Sequence, residues 1–505
     1  MYTIQILIIF LFGFSSHIIP QQIIEQKVKR GLDAIYNFEW DKGEKIFNQL
    51  IETYPENPAG YHYASIMPMW YYLGSYNSDY LDTFFIFSDL ALEYAKQAES
   101  EDSLTAELAY LVGSIYANRS IVNARAENYV YAVWESDRMK YYSNLALELD
   151  ETLIDASLGI ALYHLAVSQI PSSLQWAVQL VGVNADRESG LEHLRKVIEK
   201  GKLSAVDAKF YLSQIYTRIV IDYKSAKKLL DDLTARYPKN LLFRMSLAWI
   251  ETENGNIKSA FNKFASIIKS DEENFPILKS FSHYQIGNIY FYQNQFDSAA
   301  VHYKEYLESN TRSDYNGIVN YNLGLTYELL GERDSAIVYY ENAGTGNLDL
   351  DEDSYARRKG GSMVEDSLGA DDIRLIRFKN LFYSGKYKTA IDSLLLLQDD
   401  SLHSDLKAES LLFLSKSYLK LKKYREAINY AVKTVQCEIE NEKWTQPLAL
   451  YLSAEASYNL KDYLDAQLFL NLITDYSDYD FSLKLGGLVA SLSDKLKKVN
   501  SRINK

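Results

Sequence analysis

Apolar residues between Ile286 and Ala343 recur three and four positions apart, in two copies that share one period. That spacing gives each segment one apolar side and predicts amphipathic α-helices. A polar turn divides each copy into two helices, at 292–295 and at 330–333. The pattern therefore predicts tandem helix hairpins that stack on one continuous core. The matched positions lie 37 residues apart (324 minus 287, and 336 minus 299): Gly287 and Gly324, Tyr290 and Tyr327, Ala299 and Ala336, Tyr303 and Tyr340.

The sizes of these side chains predict how each hairpin packs. Gly287, Ala299, Gly324 and Ala336 are expected where the two helices of a hairpin cross closely. A larger side chain there would overpack the crossing, which costs about 1–3 kcal/mol. The four tyrosines are expected to fill the wider space between successive hairpins, with their hydroxyls at the solvated edge.

These residues resemble the tetratricopeptide repeat (TPR), whose pattern is Trp/Leu-x2-Leu-Gly-x2-Tyr, followed by Ala, Phe/Tyr, Ala and Pro. The first position of the pattern is degenerate in both copies, at His283 and Asn320. The resemblance extends over most of residues 28–480. It implies an all-α fold, a TPR-like right-handed superhelical solenoid of antiparallel helix hairpins. Weaker copies include these residues: Gly31, Gly43, Phe47, Leu50 and Pro55; Ala226, Leu230, Leu233 and Pro238; Ala260, Phe264 and Ile267; Leu414, Tyr418 and Ala427; Tyr458 and Ala466.

The segment 155–216 departs from a plain repeat because its hairpin carries an additional stretch. It resembles the inserted hairpin of the inclusion-body clearance family of TPR proteins and of their exported bacterial relatives. The resemblance implies an interaction scaffold. Asp186 can cap the following helix while Arg187 pairs with a carboxylate, or the two can shape the mouth of a groove. The residues that carry the resemblance are Pro171, Gly182, Asp186, Arg187 and Gly190.

A lapse in the periodicity divides the chain. Residues 23–347 are predicted to form one TPR-like helical array. Residues 348–374 contain an acidic run and two adjacent glycines, which predicts an irregular acidic connector. The helical pattern resumes in 375–505, where a C-terminal TPR-like array ends in a polar-faced capping helix.

Composition narrows the possible partners. The chain has 505 residues with 8 Pro and 23 Gly, and 47% of it is hydrophobic, which predicts an ordered, mostly helical protein. A net charge of -14 repels phosphate backbones and anionic lipid surfaces, and no basic patch is visible, so no nucleic-acid partner is expected. The 42 tyrosines are predicted mainly to pack between repeats, while a subset could line a groove that grips peptide or glycan.

The N-terminus carries an apolar run at 4–14 followed by two serines, which outlines an export signal. The run has no Lys or Arg before it and is short for a membrane span. We interpret residues 1–22 as a removable signal peptide, with an uncleaved N-terminal anchor as the alternative. Cys437 is the only cysteine, so no lipid-modified cysteine follows the run and no internal disulfide can form. An exported protein of the periplasm or cell envelope is expected, with no integral membrane domain beyond this segment.

No combination of residues in the sequence supports a catalytic, cofactor or metal site. Asp349, Asp351 and Asp353 have the alternating spacing of a calcium loop, but the glycine and the final glutamate of such a loop are missing. Phosphate-binding, nucleophile-elbow and zinc-protease motifs are also missing from the sequence. The protein is therefore predicted not to be an enzyme and to use no cofactor. The remaining candidates are interpreted as packing residues or an inert thiol: His193, His283, His302 and Cys437.

The leading functional hypothesis is a non-catalytic, exported TPR scaffold that binds a protein or peptide in the cell envelope along its concave face. TPR grooves generally use the first helix of each hairpin, which makes Asn288, Tyr292, Asn320 and Asn322 the candidate partner-binding residues. The alternative is a carbohydrate-binding component of an envelope uptake system, suggested by the aromatic block 70–72. A third hypothesis, a helical lytic hydrolase, needs an acidic residue in a cleft, and no residue in the sequence indicates one.

Overall fold

The structure, a computed structural model, is described for residues 21–102, 104–167, 187–398 and 402–503. Every regular element in these ranges is helical, which confirms the all-α prediction. No helix within them is long and apolar enough to cross a membrane. The α-helices are, in chain order, α1 (Gln21–Tyr36), α2 (Trp40–Thr53), α3 (Pro58–Ser75), α4 (Ser78–Asp102), α5 (Ala106–Arg125), α6 (Tyr129–Leu149), α7 (Ser157–Val167), α8 (Arg187–Lys200), α9 (Ala205–Arg218), α10 (Tyr223–Arg236), α11 (Leu241–Glu253), α12 (Ile257–Ile268), α13 (Pro276–Tyr292), α14 (Phe296–Ser309), α15 (Asn316–Leu329), α16 (Arg333–Asn342), α17 (Asp351–Glu365), α18 (Ala370–Tyr383), α19 (Tyr387–Leu395), α20 (Ser404–Lys420), α21 (Tyr424–Val435), α22 (Thr445–Asn459), α23 (Tyr463–Leu472) and α24 (Ser482–Ile503).

Packing divides the described residues into two compact units. Unit 1 contains the residues up to Trp70 and those from 78 to 205, and unit 2 contains residues 71–77 and those from Val206 onward. In both units consecutive helices pair through short turns. The division falls near residue 205, whereas the sequence pattern places a division between two arrays at 348–374.

A glycine on the first helix of a hairpin faces an aromatic ring on the second helix, 16 residues later (303 minus 287, and 340 minus 324). A Cβ atom on Gly287 would lie 2.6 Å from Cδ1 of Tyr303, and one on Gly324 would lie 2.5 Å from Cδ1 of Tyr340. No other residue type fits at such a distance. The predicted close crossing within each hairpin is therefore confirmed, and with it the TPR-like hairpin fold.

The rings of Tyr303 and Tyr340 do not lie where the sequence pattern places them. Both are fully buried inside their own hairpins. The Tyr303 hydroxyl donates to Asn288 Oδ1 at 2.8 Å, and the Tyr340 hydroxyl donates to Glu328 Oε2 at 2.7 Å. The expectation of solvated hydroxyls between hairpins is therefore wrong for these two tyrosines, because each ring occupies the space that the facing glycine leaves open.

Unit 1 repeats the same contact in its first hairpin. A Cβ atom on Gly31 would lie 2.4 Å from Cζ of Phe47, which is again 16 residues later (47 minus 31). Within the segment 155–216, Gly190 of α8 packs tightly on Leu165 of α7, at 3.2 Å from its Cβ position to Leu165 Cγ. Arg187 is the first residue of α8. Pro171, Gly182 and Asp186 lie outside the described residues, as does the apolar run at 4–14.

Buried aspartates hold the loops between helices. Asp155 in unit 1 accepts hydrogen bonds from the backbone N–H groups of 202, 203 and 204, at 2.8–3.0 Å. Asp405 in unit 2 accepts two from 440 and 441, both at 3.0 Å. A carboxylate that satisfies several backbone donors fixes a loop that has no regular structure of its own.

The segment 348–374, predicted as an irregular connector, is mostly helical and lies inside unit 2. Helix α17 occupies most of it, and α18 begins within it. Asp353, Ala356, Gly360 and Met363 form the buried side of α17. The last three residues of the acidic run, Asp351, Glu352 and Asp353, form the first turn of this helix, where negative charge is favourable.

Replacement by alanine is expected to change the free energy of unfolding in opposite directions at two adjacent glycines of α17. A Cβ atom on Gly360 would lie 2.5 Å from Cβ of Ala343 and 2.8 Å from the carbonyl oxygen of Tyr340, whereas no atom lies within 4 Å of a Cβ on Gly361. Gly360→Ala is therefore expected to lower the free energy of unfolding by about 2 kcal/mol. Gly361→Ala is expected to raise it by about 0.5–1 kcal/mol because alanine favours a helix. Urea unfolding of both variants tests this, and changes of the same sign would contradict the packing of α17.

Candidate interaction surfaces

Helix α6 of unit 1 turns a large apolar surface to solvent. Val130 is 83% exposed and Trp134 is 49% exposed. Residues three, four and eleven positions after Val130 share its side of the helix. Isolated exposed apolar residues are common, but several on one helix are typical of an interaction site. The α6 surface comprises six exposed residues: Tyr129, Val130, Tyr131, Val133, Trp134 and Tyr141.

A buried carboxylate fixes the rotation of α6. Glu135 accepts hydrogen bonds from Arg119 Nε and Asn123 Nδ2 of α5, both at 2.7 Å. Arg119 also donates to Ser88 Oγ of α4 at 2.8 Å. Because Glu135 is held against α5, the α6 surface is kept on the outside of unit 1.

Within unit 2, α18 lies against α13 although the two helices are far apart in the sequence. Asn380 Nδ2 donates to the carbonyl oxygen of Phe291 at 2.9 Å, and Ser384 Oγ donates to that of Tyr292 at 2.6 Å. The rings of Tyr292 and Tyr383 stack with their centroids 4.5 Å apart. These contacts cover the C-terminal end of α13.

The C-terminal helix α24 also contacts early elements of unit 2. Its apolar side, with Leu485, Leu492 and Leu496, is buried in the core of the last hairpins. Ser491 Oγ donates to the carbonyl oxygen of Val220 at 2.5 Å, and the N–H of Lys484 donates to Asp351 at 2.8 Å. The helix therefore links the end of unit 2 to its beginning and to α17.

A buried ionic cluster joins α17 to the loops that precede α22 and α24. Glu442 accepts hydrogen bonds from Lys359 Nζ at 2.9 Å, Arg358 Nη2 at 3.1 Å and the Trp444 indole at 2.6 Å. Arg358 also bonds Asp480 at 2.6 Å. Burial alone would raise the pKa of Glu442, but the charges of Lys359 and Arg358 outweigh it and lower that pKa. The cluster is therefore ionised at neutral pH.

A second group of charges lies on α18 and α20. Lys379 forms an ion pair with Glu409, and its Nζ lies 5.2 Å from the centroid of the Phe413 ring. Lys416 lies over the same ring, with its Nζ 4.5 Å from the centroid. Two lysines thus lie over the Phe413 ring, an arrangement that stabilises cations by cation–π attraction.

The family model of Iml2/Tetratricopeptide repeat protein 39 matches residues 83–345. That range is 263 residues (345 minus 83 plus 1) of the 505 in the chain, or just over half. The chain belongs to the Iml2/Tetratricopeptide repeat protein 39 family. The resemblance to the inclusion-body clearance TPR family, stated from Gly190 and its neighbours, is confirmed. The matched range includes the α6 surface and both copies of the tandem hairpin.

Three solved structures are similar to this Iml2/Tetratricopeptide repeat protein 39 family member, each with 14% identity. A tetratricopeptide repeat protein from Parabacteroides merdae ATCC 43184 has a TM-score of 0.26, over 57% of this chain and 98% of that chain. The Cut9–Hcn1 hetero-tetramer of APC/C has a TM-score of 0.26, over 94% and 96%. Yeast Tom70 has a TM-score of 0.24, over 83% and 93%. The assignment to the family rests on the family match alone.

The four candidate partner-binding residues of this family member lie on the first helices of two hairpins, as expected, but two of them are buried. Asn288 is 8% exposed and accepts from the Tyr303 hydroxyl, and Asn320 is 7% exposed and donates to the carbonyl oxygen of Asn316. The Asn288 amide therefore links the two helices of its hairpin, whereas the Asn320 amide bonds within its own helix. The other two are half-buried: Asn322, whose amide lies 3.4 Å from Asn288 Oδ1, and Tyr292, which stacks on Tyr383.

The histidines and the cysteine occupy packing positions in the structure. His283 and His302 lie with their Nδ1 atoms 3.0 Å apart, and burial lowers the pKa of each. Burial also lowers the pKa of His193 and raises that of the Cys437 thiol. Across the described residues, no group of three or more His, Cys, Asp or Glu side chains is placed to hold a metal ion.

Sequence reasoning missed both the α6 surface and the two lysines over Phe413 in unit 2. Tyr129, Val130 and Tyr131 signal an apolar segment, but apolar residues ordinarily predict burial. The signal that could have found the surface is the lack of polar residues on either side of the first turns of α6. Lys416 carries no such signal, because Lys379 and Trp444 approach it from segments distant in the sequence.

Proposed function

We propose that this protein is a non-catalytic, exported TPR scaffold that binds a protein partner in the cell envelope. Membership of the Iml2/Tetratricopeptide repeat protein 39 family and the hairpin fold support a scaffold. The apolar run at 4–14 supports export. The observation that carries the proposal is the α6 surface, which offers aromatic and aliphatic side chains on a helix whose rotation is fixed.

The chemistry of the α6 surface favours a protein over a sugar. Its most exposed residue, Val130, and the neighbouring Val133 are aliphatic and give a sugar hydroxyl no hydrogen-bond partner. Trp and Tyr beside aliphatic residues are typical of the centre of a protein interface. The carbohydrate-binding alternative drew on the aromatic block 70–72, in which Tyr72 is buried. The net charge of -14 disfavours an anionic membrane as the partner.

Removing the apolar centre of the α6 surface is expected to weaken binding of the partner. In the variant Val130→Ser/Trp134→Ser, partner recovery from envelope extract should fall at least tenfold, because a central aromatic residue commonly contributes about 2 kcal/mol. The measurement is a quantitative pull-down with isotope-labelled wild type as the reference. Both residues are exposed, so the thermal unfolding curve should change little.

A matched control is available in unit 2. Leu464 of α23 is 86% exposed and has no part in the α6 surface. Leu464→Ser should recover the partner as well as wild type does. Equal recovery by the double variant and the control would contradict the proposed surface, and a glycan array that responds to wild type would favour the sugar alternative.

The export part of the proposal has its own test. Fractionation of cells that produce the full chain should place the protein in the periplasm or envelope. N-terminal sequencing of that material should begin near residue 22 if the signal is removed and at Met1 if it remains as an anchor. Protein found only in the cytosol would overturn export without affecting the scaffold function.

A further inference from the structure

The exposed side of α6 carries unpaired carboxylates among its apolar residues. Asp137 and Glu148 follow Val130 by seven and eighteen positions, so they share its side of the helix. Both are exposed, and neither forms an ion pair or a side-chain hydrogen bond with any residue that the structure describes. Trp134 and Tyr141 precede and follow Asp137 on the same side. A purely apolar partner would therefore remove water from Asp137 without giving it a counter-charge, which is costly.

The basic side chains of α6 are engaged by aromatic rings. Arg138 lies over Trp134, with its Cζ 5.3 Å from the ring centroid, and Lys140 lies over Tyr163, with its Nζ 4.2 Å from the centroid. Neither forms an ion pair with a carboxylate in the described part of the chain. Asp137 therefore keeps a free negative charge beside the exposed Trp134 ring.

The helices of unit 1 that precede and include α6 are strongly acidic. Residues 78–151, which contain α4, α5 and α6, hold 14 Asp and Glu against 5 Lys and Arg, a net charge of -9 (5 minus 14). The rest of the chain carries only -5 (-14 plus 9). Burial, followed by the charge of Glu99 of α4, raises the pKa of Tyr142 of α6, so this negative charge is felt at α6. Such a field attracts a basic partner and repels an acidic one.

We propose that the partner docks on the α6 surface through an amphipathic α-helix whose apolar side is bordered by lysine or arginine. This inference rests on the proposed function and names the chemistry of its partner. Val130, Trp134, Asp137 and Tyr141 are four, three and four positions apart, a spacing that suits packing against a second helix. They extend over about 16 Å of the helix axis, or three turns. Apolar residues of the partner cover Val130 and Trp134, and a basic residue pairs with Asp137.

Two designed peptides test the charge requirement on the purified full-length protein. Both are amphipathic helices of about 18 residues, or five turns, with leucine along one side. The basic peptide carries lysine on its other side, and the acidic peptide carries glutamate. In fluorescence anisotropy the basic peptide should bind at least about tenfold more tightly than the acidic one, and added salt should weaken it. Its affinity should fall about tenfold in Val130→Ser/Trp134→Ser, whose net charge is unchanged.

A charge reversal with a matched control assigns the effect to Asp137. Asp137→Lys should weaken binding of the basic peptide about tenfold and strengthen that of the acidic peptide, because like charges then face each other or opposite charges meet. Asp392→Lys makes the same change in net charge at an exposed aspartate of α19 in unit 2 and should leave both affinities unchanged. Because Asp137 is exposed, the thermal unfolding curve of its variant should match that of wild type.

Equal affinity of wild type for the two peptides, or equal effects of Asp137→Lys and Asp392→Lys, would overturn the inference. The scaffold proposal would still stand if Val130→Ser/Trp134→Ser lost the partner in the pull-down, and it would fail separately if that variant kept the partner. Binding of wild type to phosphatidylcholine vesicles, lost in Val130→Ser/Trp134→Ser, would identify a lipid surface as the occupant and would also overturn the inference.

Discussion

Glu442→Ala is expected to lower the free energy of unfolding by about 3 kcal/mol. Removing one partner of a buried ion pair typically costs about 3–5 kcal/mol, because the remaining charge is left unpaired. We expect the lower end of that range, since Arg358 is partly exposed and keeps its bond to Asp480. Urea unfolding at pH 7 measures the change.

The pH dependence of stability gives a second readout for this cluster. The pKa of Glu442 is lowered in the folded state, so its contribution is present above its ordinary value of 4.5 and is lost as the pH falls below it. Glu442→Gln should therefore flatten the acid side of the stability curve. Glu438→Ala removes an exposed carboxylate nearby and serves as the control. If the two alanine variants lost the same stability, the buried cluster would not be as described.

Asp353→Ala is expected to cost about 3 kcal/mol, the upper value for a hydrogen bond to a charged group. Asp353 is fully buried, and its carboxylate accepts from the N–H groups of Ile318 and Asn347, both at 2.8 Å, and from that of Tyr315. Tyr315 has a positive φ of 59°, a conformation that is unfavourable for a tyrosine and needs support. Loss of the carboxylate leaves three backbone donors and this turn without their partner.

The acidic run itself supplies the control for Asp353. Asp349 belongs to the same run but is exposed, so Asp349→Ala should change the free energy of unfolding by less than about 0.5 kcal/mol. Adding calcium should not stabilise the wild type, because the Asp353 carboxylate is occupied by backbone donors. A calcium-dependent rise in melting temperature, abolished by Asp353→Ala, would revive the calcium loop.

The hairpins could be predicted from the sequence because their contacts join residues that are close in the chain. Gly324 and Tyr340 are only 16 residues apart, and the turn between their two helices brings them together. The direction of the Tyr340 ring was not predictable, because it depends on how closely the two helices approach. The acidic start of α17 was interpreted as a loop because charged residues suggest exposure to solvent. Negative charge is, however, also favourable at the N-terminus of a helix.

The interior of unit 2 could not have been predicted in the same way. Arg358 is 84 residues from Glu442 and 122 from Asp480. No local period links such positions, and the stacking of Tyr292 on Tyr383 likewise joins helices from different hairpins. These contacts cover part of Tyr292, one of the candidate partner-binding residues. The exposed α6 surface was not predicted from the sequence.

The most direct test of the scaffold is site-specific photocrosslinking in the native envelope. A benzophenone amino acid at Tyr131, on the α6 surface, should form one dominant crosslink to a protein, and the same probe at Leu464 should form none. The dominant crosslink should disappear when Val130 and Trp134 are also replaced by serine. If the probe at Tyr131 crosslinks no protein, or if both positions yield the same products, the α6 surface is not where this protein holds a partner.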